Sequence, residues 1–198
     1  MRRRLLRRLL ACKGQAVVET ALIMPLVVVL VLGVVEFSYA LLDAHVVTKA
    51  TREGSNLISR NVSLQDAVSA MKSMSDRPLN FTDGSSTVIF SVLKRGSTSG
   101  TTNLNQNILY QRFSYGSYPG TSKLTTRGPG SFGGAPDYQA ANADTDANLQ
   151  VTNVPPGLLV TTGGMIYVTE IYTAHTLLTP LANLGLSLPQ TLYSIAYF

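Results

Sequence analysis

The sequence has little of several residue types on which many protein functions depend. Its 198 residues include one cysteine, two histidines and no tryptophan, and only 14% of the residues are charged. The one cysteine, Cys12, lies in a short basic stretch at the N-terminus. The rest of the chain therefore cannot form an internal disulfide, and its core must be held together by packing alone.

Groups that carry catalysis or bind metals are also scarce. The two histidines, His45 and His175, are far apart in sequence, and the 11 acidic residues are scattered without pairing. No nucleophile–base pair or metal-ligand cluster is visible in this pattern. Residues 144–148 (DTDAN) begin like a calcium loop, but Leu149 and Pro155 stand where that loop needs glycine and glutamate. We therefore expect a turn there, and neither catalysis nor a cofactor nor a metal.

The positive charge is confined to the first thirteen residues. The whole chain has a formal charge of +5, but six basic residues precede Gly14 and leave 10 basic against 11 acidic residues in the remainder. A nucleic-acid-binding surface would need basic residues gathered on the folded domain, so no nucleic-acid partner is expected. Basic residues beside an apolar span favour the cytoplasmic side of a membrane.

A long apolar run follows the basic stretch. No charged residue occurs from Thr20 to Val35, which is about 16 residues, and the usual span of about 20 is reached with help from the flanking residues. The run predicts a membrane helix with Glu19 near its start and Glu36 near its end. Either acid could simply lie at a membrane interface. The helix dipole also favours an acid such as Glu19 near the start of a helix. Pro25 is expected to kink this helix without ending it.

The order of the N-terminal regions suggests proteolytic processing. In an ordinary secretory signal the small residues follow the apolar region, whereas here Gly14 separates the basic residues from the apolar run. Cleavage after Gly14 would remove the charges, keep the helix, and make Glu19 the fifth residue of the product. A carboxylate so close to an apolar span is costly to bury without a partner. The new α-amino group of a neighbouring subunit could be that partner.

The N-terminal region resembles the TadE-like family, whose members are pilin-like components of the tight-adherence (Tad/Flp) pilus machinery. The resemblance covers about residues 14–58 and rests on Gly14–Pro25 (GQAVVETALIMP), Gly33–Phe37 (GVVEF) and Ala50–Gly54 (ATREG). Two features differ from the family pattern. Thr20 replaces the usual Phe or Tyr, and Gln15 would become an N-terminal residue that can cyclise and lose its amine.

The resemblance implies a minor pilin, or pseudopilin, that a prepilin peptidase cuts after Gly14. Gly14, Gln15 and Glu19 would serve processing, and Glu19, Pro25, Gly33 and Glu36 would serve helix packing during assembly. The implied partners are the peptidase, an Flp-type major pilin, other Tad assembly proteins including a TadF-like pseudopilin, and inner-membrane lipid. The implied location is the bacterial inner membrane, with one span, a cytoplasmic N-terminus, an extracytoplasmic C-terminal domain and a place at the base of the pilus or within it.

The helical period continues beyond the apolar run and predicts one helix over residues 15–59, roughly 65 Å long. Within its second half, from Phe37 to Ser59, Asp43 falls on the apolar side. A second helix is predicted to start with the capping sequence Ser63–Asp66, to bury Met71 and Met74, and to end before Pro78. These periods divide the chain into a leader (1–14), a pilin-like helix (15–60) and an exported α+β domain (61–198).

Alternating apolar residues predict a small antiparallel sheet in the exported domain. The predicted strands cover 87–94, 108–115, 165–178 and 192–198, with a short possible strand at 149–154 and a weak extension at 158–160. Residues 180–188 are expected to form a loop or a short helical turn. Residues 116–148 predict a long flexible loop. Four aromatic residues in this loop or directly before it serve either partner contact or anchoring: Tyr115, Tyr118, Phe132 and Tyr138.

Two other functions stay open at this point. The chain could be an uncleaved, signal-anchored module that binds an envelope or surface ligand through the aromatic-rich loop. It could also be a membrane-anchored envelope enzyme, with a serine–lysine site as the remaining option. A product that begins at Gln15 would favour the pilin.

Overall fold

The computed structural model describes residues 2–74, 76–158, 160–180 and 189–198, with side chains from Gly14 onward. The elements, in chain order, are α1 (Arg2–Ser59), α2 (Leu64–Met74), β1 (Ser86–Arg95), β2 (Asn107–Gly116), a 3-10 helix (Ala147–Leu149), β3 (Met165–Ala174) and β4 (Thr191–Tyr197). This confirms the predicted α+β class, with a long N-terminal helix, a second short helix and a four-stranded antiparallel sheet.

The chain divides into two compact units. The first, called the stem here, contains α1 up to Leu41 and the segment that begins at Thr176. The second, called the sheet domain, contains Leu42–His175 and Pro189–Phe198.

Helix α1 continues through Pro25. Proline removes one backbone N–H and clashes with the preceding turn, so it usually breaks a helix in water. The expectation that the helix does not end at this proline is confirmed, and the expected kink stays a prediction. The helix also begins earlier than the predicted residue 15, because the basic stretch before Gly14 is helical as well.

Helix α2 begins with the predicted cap. The Ser63 hydroxyl accepts a hydrogen bond from the backbone N–H of Asp66 at 3.1 Å and donates one to its carboxylate at 2.7 Å. One apolar stripe of the helix is buried, namely Leu64, Ala67, Val68 and Met71. Met74 was expected in the core, but it is 54% exposed because it lies in the last turn.

The sheet has the strand order β2-β1-β3-β4, and all neighbours are antiparallel. The central strand β1 is buried on both faces from Ser86 to Leu93. Since side chains alternate along a strand, Val88, Phe90 and Val92 form one core with α1 and α2. Leu93 belongs to a second core, together with Leu109, Leu124, Ile166 and Val168.

Two of the predicted strands differ from what the structure has. Strand β3 ends at Ala174 and not at residue 178. The His175 N–H still bonds to the carbonyl of Gln190, beside the last pair of β3 and β4, at 2.8 Å. The N–H groups of Leu178 and Thr179 bond instead to the carboxylate of Glu36. Residues 149–154 form isolated bridges at Gln150 and Val151, after a 3-10 helix, and not a strand. Leu158 and Val160 lie outside the named strands. The expected loop or turn at 180–188 lies outside the described residues from 181 onward.

Candidate functional site

The predicted processing residues lie on an exposed part of α1. A Cβ atom added to Gly14 would meet nothing within 4 Å. The side-chain amide of Gln15 donates a hydrogen bond to the Glu19 carboxylate, 2.9 Å away and one turn further along the helix. In the intact chain, therefore, the Glu19 carboxylate already has a polar partner from the adjacent residues.

The apolar part of α1 is uncovered. Its large side chains, such as Val17, Leu22 and Leu30, are 61–74% exposed, and in the described residues this helix is long and apolar enough to cross a membrane. Pro25 and Gly33 lie on this surface, and a Cβ on Gly33 would also meet nothing within 4 Å. An apolar surface of this length suits lipid, with small residues leaving room for another helix. A role for Pro25 and Gly33 in helix packing stays a prediction.

Glu36 differs from the apolar residues before it because it is buried, at 2% exposure. Its carboxylate accepts hydrogen bonds from the backbone N–H groups of Leu178, at 3.0 and 3.2 Å, and of Thr179, at 2.9 Å. All three residues belong to the stem. Sequence reasoning singled out Glu36 but not its partners, which follow about 140 positions later in the chain.

Asp43, which interrupts the apolar side of α1, also has a specific partner. Its carboxylate lies 2.9 Å from Nδ1 of His175, and the two side chains are 13% and 2% exposed. Both residues belong to the sheet domain. The pair ties the domain part of α1 to the residue that directly follows β3, and it explains why an acid is accommodated there.

Gly54 marks the closest approach of α1 to the sheet. An added Cβ would lie 2.8 Å from Cγ2 of Thr169 and 3.2 Å from Cε1 of Phe90. Next to it, the Ser55 hydroxyl donates to the carbonyl of Ala196 at 3.0 Å. The preceding residues, Arg52 and Glu53, are exposed. In the Arg-Glu-Gly sequence the glycine thus serves helix–sheet contact.

A buried carboxylate on β3 organises the polar part of the second core. Glu170 is fully buried. It accepts hydrogen bonds from the backbone N–H of Lys123 at 2.7 Å, from the Tyr193 hydroxyl at 2.9 Å and from the Ser122 hydroxyl. The alternation of residues along β3 predicted only that Glu170 lies in a strand and gave no sign of this role.

Arg112 on β2 supplies the positive charge of the same network. Its guanidinium donates to the hydroxyls of Ser91 at 3.2 Å and Ser122 at 3.0 Å, and to the carbonyl of Leu124 at 3.3 Å. Burial lowers the pKa of Arg112 while the Glu170 charge opposes the shift; an arginine stays protonated regardless. Residues 122–124 are thereby held against the sheet by two charged groups, the buried Glu170 and the partly buried Arg112.

Other contacts also connect the segment 116–148 to the sheet. The rings of Phe113 and Tyr138 stack with centroids 3.9 Å apart, and the Tyr118 hydroxyl lies 2.6 Å from that of Thr191. The backbone of Gln139 bridges to β2 at Gln111. These contacts favour anchoring as the role of these two tyrosines, while the flexibility of the segment stays a prediction.

The expected turn is present at the calcium-like sequence. The Asp146 carboxylate caps the 3-10 helix by accepting from the Asn148 N–H at 2.9 Å, and Asp144 accepts from Thr98 at 2.9 Å. Within the described ranges, no group of three or more His, Cys, Asp or Glu side chains is arranged to hold a metal ion.

The Glu170 network predicts a loss of stability at alkaline pH. Burial and the Glu170 carboxylate raise the pKa of Tyr193 well above its usual value. The unfolded chain then releases the tyrosine proton first, near pH 10, so the free energy of unfolding should fall as the pH rises above about 10. Urea titrations of the full chain in detergent micelles at increasing pH would measure this slope. It should be smaller in Tyr193→Phe, and an equal slope in both proteins would contradict the prediction.

Similarity to a known protein family is found in the N-terminal part of the chain. Residues 14–56 match a family model described as TadE-like protein. The N-terminal helix is TadE-like. This confirms the resemblance of the N-terminal segment to the TadE-like family, and it indicates an association with the Tad pilus for a chain with an apolar N-terminal helix. No curated protein and no solved structure matches the chain.

The TadE-like segment contains all the predicted site residues from Gly14 to Glu36, and also Asp43 and Gly54. It ends before α2 and the sheet. The partners of its buried residues therefore come from outside the matched segment: Leu178 and Thr179 for Glu36, and His175 for Asp43.

Proposed function

We propose that this protein is a minor pilin, or pseudopilin, of the Tad/Flp pilus machinery, which a prepilin peptidase cuts after Gly14. The match of residues 14–56 to the TadE-like family carries the proposal. The exposed apolar surface of α1 supports it, because a subunit stored in lipid and later packed against other helices needs such a surface. The role is structural, with no catalytic step assigned to the chain.

Cleavage would change the environment of Glu19. In the intact chain the Gln15 side chain donates to its carboxylate. After cleavage Gln15 carries a new α-amino group, so a positive charge becomes available within the first turn of each subunit. We propose that the Glu19 carboxylate then pairs with the N-terminus of a neighbouring subunit, because an acid at the edge of an apolar span is stable only with a partner. This pairing would set the register between adjacent helices.

The proposed location follows from charge and hydropathy together. The basic leader stays in the cytoplasm, α1 crosses the inner membrane once, and the sheet domain lies outside the cytoplasm. The proposed partners are the prepilin peptidase, an Flp-type major pilin, other Tad assembly proteins including a TadF-like pseudopilin, and membrane lipid. The sheet domain, with its anchored loop segment, is the part that would meet the extracytoplasmic partners.

Substitution of Gly14 by leucine tests the processing step. Co-expressed with a prepilin peptidase, the wild-type chain should lose its first fourteen residues, and Gly14→Leu should keep them because the cleavage site no longer ends in a small residue. Gel mobility and the intact mass of the purified protein measure the outcome. Gly33→Leu is the matched control, since a Cβ at either glycine meets nothing within 4 Å, and it should be cut like the wild type.

Two results would count against the proposal. If the wild-type chain keeps residues 1–14 in the presence of an active peptidase, processing does not occur. If Gly14→Leu is cut as efficiently as Gly33→Leu, the peptidase does not recognise this glycine. Mass spectrometry of the cut product also shows whether Gln15 has cyclised, which would remove the amine that Glu19 is proposed to bind.

A further inference from the structure

The outer edge of β4 has no partner strand within the described residues. In an antiparallel ladder, residues that exchange backbone hydrogen bonds with the neighbouring strand alternate with residues whose N–H and carbonyl point away from it. Phe198 exchanges two such bonds with Tyr167, and the His175 N–H bonds to Gln190 at the other end of the same register. The residues between them that turn their backbone groups outward are therefore Thr191, Tyr193, Ile195 and Tyr197.

The opposite edge of the sheet is covered by the chain itself. Along β2, the carbonyl of Asn107 accepts from the Val151 N–H, and the carbonyl of Tyr110 accepts from the Ala140 N–H, both at 2.8 Å. Natural edge strands also carry charged residues or prolines that discourage another strand from pairing. Strand β4 has neither, since its sequence is TLYSIAY. The described part of the chain thus closes one edge of the sheet and leaves the other open.

A cleft of about 490 Å³ lies between the end of β4 and α1 within the sheet domain. Ile195 and Tyr197 pack in the second core. Because side chains alternate along a strand, their neighbours Ser194 and Ala196 lie on the α1 side, and both are small. The other wall of the cleft consists of polar residues of α1: Thr48, Arg52, Glu53 and Asn56. A strand added to β4 would therefore find room for its side chains on the α1 side.

We propose that β4 accepts an extended segment of another protein as a fifth strand of the four-stranded sheet. Extended backbone offers donors and acceptors at the two-residue spacing of the outward row, so the ligand is a β-strand. Its side chains alternate, with apolar ones beside Tyr193 and Ile195 and polar ones in the cleft. An acidic residue of the segment lies near Arg52, which has no ion-pair partner in the described part of the chain.

A second copy of this chain does not offer such a segment. Its β4 contains no acid to pair with Arg52, and the edge of its β2 is already occupied by the residues around Ala140 and Val151. The ligand is therefore a segment of a different protein. The inference concerns the sheet domain alone, so it can hold even if cleavage after Gly14 fails.

Substitution of an outward residue by proline tests the contact, because proline removes an N–H that the sheet does not use. The probe is a phage-displayed library of random peptides, selected on the full chain in detergent micelles. The recovered peptides should alternate apolar and polar residues and include an acid. They should bind Ile195→Pro about tenfold more weakly than Ile195→Ala, the effect of roughly one lost hydrogen bond. Both variants lose the same side chain, so the difference reports the N–H.

Arg52→Glu tests the charge match without altering the strand. Arg52 is exposed on α1, so the domain should fold as before, and the same selection should now recover peptides with a basic residue in place of the acid. Recovery of the same acidic peptides would contradict the match.

Three further results would overturn the proposal. The edge is not a binding site if the selection recovers no peptide, or peptides that bind Ile195→Pro and Ile195→Ala equally. A second copy occupies the edge if the wild type and Ile195→Ala form dimers in micelles while Ile195→Pro stays monomeric. Another part of the chain covers the edge if the outward amides of Tyr193 and Ile195 exchange hydrogen as slowly in the monomer as the inward amide of Ser194.

Discussion

Glu170→Ala is expected to lower the free energy of unfolding of the sheet domain by about 3–5 kcal/mol, because each donor left without its charged acceptor costs about 1–3 kcal/mol. The substitution leaves three donors without their acceptor: the Ser122 hydroxyl, the Lys123 N–H and the Tyr193 hydroxyl. It also removes the negative charge that interacts with the partly buried guanidinium of Arg112. Urea denaturation of the full chain in detergent micelles, followed by the circular dichroism of its tyrosines, would measure the loss.

The exposed Glu53 provides the control for this prediction. Glu53→Ala removes the same charge from the surface and should change stability by no more than about 0.5 kcal/mol. A double-mutant cycle of Glu170→Ala with Ser122→Ala should show strong coupling, because each side chain loses the same hydrogen bond. Equal and small losses in Glu170→Ala and Glu53→Ala would mean that the network does not hold residues 122–124 on the sheet.

The parts of this fold that repeat with a short period could be predicted from sequence. Local spacing and local hydrogen bonds predict the helix over 15–59, the helix capped at Ser63–Asp66 and the core of each of the four strands. The resemblance to the TadE-like family depends on the same kind of information, since all its sequence features lie within one helix.

The partners of the buried polar residues could not be predicted in this way. Glu36 bonds to Leu178, Asp43 to His175, and Glu170 to Ser122, each across a long stretch of chain. A single sequence shows an acid in an unexpected place but contains no local signal for the backbone or side chain that meets it. For Asp43, its position on the apolar side of a helix was a signal that a buried partner exists, though not which residue it is.

The predicted end of β3 was wrong because it too depends on a distant partner. The apolar character continues past Ala174 through Leu177 and Leu178, so alternation alone predicted a strand as far as residue 178. In the structure the backbone N–H groups of Leu178 and Thr179 bond to a side chain of α1 and not to a neighbouring strand. A distant acceptor thus binds the N–H groups that the predicted end of the strand would have used.

Gly54 is the other residue whose role depends on a distant contact, and it gives the second large prediction. Alanine in a helix is intrinsically favoured over glycine by about 1 kcal/mol. Gly54→Ala should nevertheless destabilise the sheet domain, because the new methyl group would lie 2.8 Å from Thr169 and 3.2 Å from Phe90. Overpacking of this kind costs about 1–3 kcal/mol, and Gly54→Leu should destabilise the sheet domain more than Gly54→Ala does.

The sign of the change in the free energy of unfolding distinguishes overpacking from helix propensity. Gly33→Ala makes the same change in the same helix where no atom lies within 4 Å of the added carbon, and it should leave the unfolding of the sheet domain unchanged. Thr169→Ser in the Gly54→Ala background removes the methyl group that is closest to the new one, and it should restore part of the lost stability. If Gly54→Ala raised the free energy of unfolding, α1 would not pack against β3 as closely as described, and the glycine of the Arg-Glu-Gly sequence would need another explanation.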